Sequence, residues 1–75
     1  MINSNKIAGE NIKKFIESRE LNVNWVMERT GIDRAAFYNM LSGTGNVDVY
    51  VARINELFGI KDPTFFYKGK KSDYQ

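Results

Sequence analysis

Arg34, Ala35, Tyr38, Asn39 and Ser42 stand at i, i+1, i+4, i+5 and i+8, a spacing that gathers them on one face of an α-helix. Their chemistry is polar contact rather than bond making. A guanidinium grips guanine or phosphate, and a carboxamide pairs with an adenine edge. A tyrosine lies against a sugar–phosphate or a methyl group, and an alanine lets the helix come close. Phe37, Met40 and Leu41 make the opposite, apolar face. The chain contains no histidine and no cysteine. The commonest metal ligand, the usual general base, the usual pH switch and any thiolate or disulfide are therefore missing. No spacing of Asp and Glu suggests catalysis by carboxylates alone. The expectation is a binding protein, not an enzyme, with no metal and no cofactor.

The elements that must hold this face can be read on either side of it. Residues 23–42, VNWVMERTGIDRAAFYNMLS, read as two short helices joined by a tight turn at Gly31. Glycine stops the first of them because it takes the left-handed conformation cheaply. Ile32 fills the turn. Asp33 caps the next helix, where its carboxylate accepts from free N–H groups and favours the positive helix end. Together these have the sequence shape of a helix-turn-helix, a unit that places its second helix in the DNA major groove. Asn22 is the cap of the earlier helix, and Val23, Val26, Met27 and Thr30 are its inner side. A preceding helix is expected from about Lys6 to Arg19, with Ala8, Ile12, Phe15 and Ile16 inward and Asn3, Ser4 or Asn5 as its cap.

Gly43-Thr44-Gly45 reads as a loop. Asn46 or Asp48 then caps a helix whose inner residues are Val47, Tyr50, Val51, Ile54, Leu57 and Phe58, ended by Gly59. Asp62-Pro63 is a cap followed by proline at the first helical position. It starts a short fifth helix, Thr64 to Tyr67, whose Phe65 or Phe66 closes the core. No segment alternates as a strand would. The fold class is thus all-α: one compact four- or five-helix domain over residues 1–67, with residues 68–75 as a flexible basic tail.

A chain of 75 residues is one marginally stable domain. Its net charge of +2 comes from the tail, because residues 1–67 carry eight basic and eight acidic side chains. A nucleic-acid footprint must then arise from placement of charge or from the tail. No apolar run approaches the length of a membrane span, and the N-terminus lacks the apolar core of a signal peptide. A cytoplasmic protein without membrane contact is expected.

Across about residues 6–67 the chain resembles the phage-repressor-like, XRE-type (Cro/repressor) helix-turn-helix family. The resemblance rests on Gly31-Ile32, the cap at Asp33, Arg34 just inside the next helix, Phe37 and Met40 inward, and Ser42-Gly43 closing it. The first-helix run AGENIKKF and the ending LFGIKDPTFF match too. The resemblance implies a lambda-repressor-like DNA-binding domain, bacterial or phage in origin, that binds a double-stranded operator, usually as a homodimer, and regulates transcription. Carried over by position, it implies base-edge contacts from Arg34, Ala35, Tyr38 and Asn39. It also implies phosphate contacts near the start of the second helix, at Ser42, and at Thr44 in the loop after Gly43. The chain departs from the family at Val23, where glutamine is frequent, and at Met27, where a small residue is preferred. Methionine there is expected to part the second and third helices or to demand repacking.

A reading of another class stands beside this one. The same fold can serve as a protein-interaction module, an antirepressor, antitoxin or anti-defence protein that binds a protein partner and not DNA. The neutral body and Val23 favour it. So does Trp25, which the helical wheel places with Glu28 and Arg29 on the outer side of the second helix. Trp25 and Arg29 are then partner contacts, since tryptophan and arginine are enriched at binding hot spots. The bland expectation for Trp25 is a ring lying over the first helix or the N-terminus.

Overall fold

The structure, a computed structural model, describes residues 4–68. Those residues form four α-helices, α1 (Ser4–Ser18), α2 (Val23–Thr30), α3 (Arg34–Leu41) and α4 (Val47–Phe58), followed by one 3₁₀ turn, Phe65–Tyr67. Among the described residues there is no strand. The described residues are all-α, in agreement with the periodicity.

Local chemistry sets most of these boundaries. The Asn22 side chain accepts from the Trp25 N–H at 3.2 Å and starts α2. Gly31, at φ 73°, ends it with its N–H on the Met27 carbonyl at 2.9 Å. Asp33 accepts from the Ala36 N–H at 2.8 Å and starts α3. Asn46 occupies the cap position of α4 without a side-chain bond, and Asp48 in the first turn supplies the negative charge that the helix end favours. α1 begins two residues before Lys6, so Ser4 and Asn5 lie inside its first turn instead of capping it. Asn3, the remaining candidate cap, lies outside the described residues, as does the tail beyond Lys68.

The core draws on every element. Ile12 of α1, Val26 of α2, Phe37 and Met40 of α3, Ile54 of α4 and Phe66 are each buried, with Ile32 filling the turn between α2 and α3. Of the two candidate closing phenylalanines, Phe66 enters the core, while Phe65 stays 45% exposed. α3 packs on α1 and α4, α2 packs on α4, and α2 and α3 touch each other only lightly. Met27 is buried in the same core. α1 and α3 cross with their backbones in contact at Gly9, where an added Cβ would lie 2.6 Å from the Met40 carbonyl oxygen. A residue without a side chain is required there.

Asp62 does not cap an α-helix. Its carboxylate accepts from the Thr64 N–H at 2.9 Å and hydroxyl at 2.7 Å, and from the Lys68 ammonium at 2.6 Å. The fifth segment is therefore one tight turn, Phe65–Tyr67, held to α1 by the Asn11 amide, which donates to the Phe66 carbonyl at 2.6 Å. Lys68, the first residue of the basic tail, is tied back by its pair with Asp62. One polar group sits badly: Asn55 is 7% exposed, and its Oδ1 has no hydrogen-bond partner among the described residues.

Candidate functional site

α3 has eight residues and two unlike faces. Phe37 and Met40 anchor it from within, which turns Arg34, Ala35, Tyr38 and Asn39 outward, all four exposed. Ser42 follows as the C-cap, also exposed, with its N–H on the Tyr38 and Asn39 carbonyls. The sequence-level row is thus brought together on one surface.

Each member of the row has a local reason for its place. Arg34 follows the Asp33 cap, and one of its guanidinium N–H groups donates to Asn24 Oδ1 of α2 at 3.3 Å. That bond spans the turn and draws the guanidinium toward α2, where Arg34 and Asn24 line one groove. Nothing in helical spacing links residues ten apart in two different helices, so Asn24 could not be found from the sequence. The Tyr38 ring stands edge-on to Phe37, centroids 5.7 Å apart, with its outer part in solvent. Thr44 is exposed, but its N–H and hydroxyl both donate to the Asn39 carbonyl, at 2.9 and 3.1 Å. A phosphate would receive the Thr44 hydroxyl proton only after that bond opens. The Ser42 hydroxyl makes no bond among the described residues and keeps its proton available.

The loop after α3 brings in a group that sequence reasoning missed. Gly43, at φ 85°, lies so close to α1 that an added Cβ would meet Lys6 Cγ at 2.7 Å. The exposed first turn of α1, with Lys6 and the positive helix end, therefore borders the Ser42–Thr44 edge of the row. No signal short of the tertiary fold joins residues 6 and 43. Val23, at the start of α2, is apolar and half-buried; its side chain offers a phosphate no donor.

Trp25 and Arg29 lie off the α3 face. Trp25 is 38% exposed, and its ring lies beside Phe58 of α4, centroids 6.5 Å apart; the first three residues of the N-terminus, one of its two expected neighbours, lie outside the described residues. The Arg29 guanidinium lies 5.4 Å from the indole centroid. The two described side chains with shifted proton affinity are both at the C-terminal closure. Lys68 and Thr64 hold the Asp62 carboxyl well below the usual carboxylate range. Burial, helped by the Asp48 charge, pushes the Tyr67 phenol up. No described helix is long and apolar enough to cross a membrane. Compared with protein-family models, curated proteins and solved structures, the chain matches none.

Proposed function

We propose that the chain is a small sequence-specific DNA-binding regulator, in which α2, the Gly31 turn and α3 act as a helix-turn-helix and α3 enters the major groove. The observation that supports this reading most is the exposed row Arg34, Ala35, Tyr38 and Asn39, bordered at its far end by Ser42, Lys6 and the first turn of α1. Arg34 and Asn39 are suited to guanine and adenine edges, and Ala35 leaves room for close approach. Ser42 and the start of α1 are suited to phosphate. Regulation would be steric, by occupying an operator in the cytoplasm and so excluding or recruiting polymerase. The resemblance to the XRE-type repressor family agrees with this reading.

The test is selection of a preferred duplex from random DNA, followed by affinity measurement against that duplex and against random sequence. Arg34→Ala and Asn39→Ala should each lose about 1–3 kcal/mol on the selected site and little on random DNA. With Arg34 on a base edge and Lys6 beside phosphate, the row sets a shallow salt dependence, a log–log slope of roughly −1. Equal losses on both DNAs would leave α3 touching phosphate alone, and no binding at low salt would end the proposal. The exposed Trp25 favours a second reading, a protein-interaction module on the same fold.

A further inference from the structure

Two arginines in different parts of the chain make the same local arrangement. Just past the end of α1, the guanidinium of Arg19 lies over the ring of Phe15, four residues earlier, 3.9 Å from its centroid. On α2, Arg29 lies 5.4 Å from the ring of Trp25, again four residues earlier. Phe58, at the end of α4, stands between the two rings, 5.0 Å from Phe15 and 6.5 Å from Trp25. The result is an aromatic floor, partly open to solvent, with a guanidinium on each side. Neither guanidinium has a carboxylate partner among the described residues, where the one ion pair joins Lys68 and Asp62. Glu28, beside Arg29 in sequence, lines the groove between α2 and the start of α3 instead. No residue of the α3 row belongs to this floor.

We propose that this floor docks a segment of another protein in which an apolar side chain is flanked by carboxylates. The apolar group covers Phe58 and the open edge of Trp25. The carboxylates take N–H groups of Arg19 and Arg29, which have no carboxylate partner among the described residues. Exposed tryptophan and arginine around a partly buried aromatic centre have the composition of an interface hot spot. A second copy of the chain fits poorly, because two-fold pairing about the centre of this face would set Arg19 of one copy against Arg29 of the other. A single-stranded nucleic acid fits poorly too. Bases need open ring faces, whereas Arg19 lies on the Phe15 face and the aromatic pairs meet at 65° and 49°. The proposal does not depend on DNA binding by α3.

The probe is a labelled 12-residue peptide with Leu and Phe at its centre and two glutamates on each side, read by anisotropy on the full chain. A second peptide carries lysines in place of the glutamates. Trp25 is the single tryptophan, so its fluorescence reports contact directly. The acidic peptide should bind saturably with a blue shift of Trp25, at least tenfold more tightly than the lysine peptide. Arg19→Glu with Arg29→Glu should invert that preference. Trp25→Ser should weaken binding at least tenfold, and Arg34→Glu should leave it within twofold, each variant first shown to unfold cooperatively. The proposal falls if the acidic peptide gives no saturable response up to millimolar concentration, or if the double substitution leaves the preference unchanged. It falls also if oligo-dT competes at this floor, or if Trp25→Ser dissociates a dimer of the parent chain.

Discussion

Phe37 and Tyr38 are adjacent in α3 with rings 5.7 Å apart at 88°, yet Phe37 is 0% exposed and Tyr38 45%. Everything argued about the α3 row depends on that difference, since it fixes which way the helix is turned. Phe37→Ala removes a fully buried ring from the middle of the core. Lost transfer energy and the residual cavity together cost about 3–5 kcal/mol. A domain of 75 residues has on the order of 4–11 kcal/mol in total, so the variant should lose between about a quarter and all of its stability. Tyr38→Ala gives up an edge contact of about 0.5–1.5 kcal/mol and a partial transfer term, roughly 1–2 kcal/mol in all. With a shift of about 4–8 °C per kcal/mol for a domain of this size, Phe37→Ala should lower the melting temperature by at least about 12 °C. Tyr38→Ala should lower it by at most about two-thirds as much as Phe37→Ala does. Urea titrations followed by circular dichroism and by Trp25 fluorescence give both free energies, and unchanged m-values show that the folded and unfolded states are comparable. Equal losses, or a larger loss for Tyr38→Ala, would mean that α3 is rotated. Arg34 and Asn39 would then not share the outward face.

Two further outcomes follow from groups outside the row. Asn55→Leu keeps the branched shape and removes a buried acceptor that has no partner among the described residues, so it should stabilise the chain by about 1 kcal/mol; a lower melting temperature would count against an unsatisfied carboxamide. The Asp62 carboxyl is held below its ordinary range by Lys68 and Thr64, so its contribution is complete above about pH 4 and is lost as pH falls through the folded-state value. Asp62→Asn should be less stable than the parent at neutral pH and should lose less stability on acidification; parallel stability curves would refute the pairing.

Much of this architecture is legible in local chemistry. Asn22, Gly31, Asp33 and Gly59 each act within a few residues, so the bounds of α2 and α3 and the end of α4 follow from sequence. The end of α1 carries no such signal: the chain turns at Glu20 with φ 54°, a conformation that glycine usually supplies. The fifth segment misleads because Asp62-Pro63 is a good helix start, yet its carboxylate is taken by Thr64 and Lys68. The outward row is legible because it is periodic. What completes it is not, since Asn24 reaches Arg34 from another helix and Gly43 meets Lys6 across the fold. The neighbours of Trp25 were illegible for the same reason: a helical wheel gives the side of α2 but not the element that packs beside it.

The neutral body bears on how such a surface can select a partner. Residues 1–67 carry equal numbers of each sign, so no net field draws the α3 face to a polyanion. Selectivity must then come from where the charges stand. At one end of the row Asp33 lies beside Arg34, but its carboxylate is engaged with the Ala36 N–H at the positive end of α3, which offsets its repulsion of phosphate. At the other end Lys6 and the first turn of α1 are brought in by a glycine that no other residue can replace without moving α1. Arg19 and Arg29 are withdrawn from both ends by their aromatic neighbours. Binding through α3 would therefore be weakly salt-dependent and strongly dependent on the bases met by Arg34 and Asn39. Binding at the aromatic floor would depend on carboxylates and be indifferent to both of those residues. Because the two surfaces share no side chain, substitutions at one leave the other as a control.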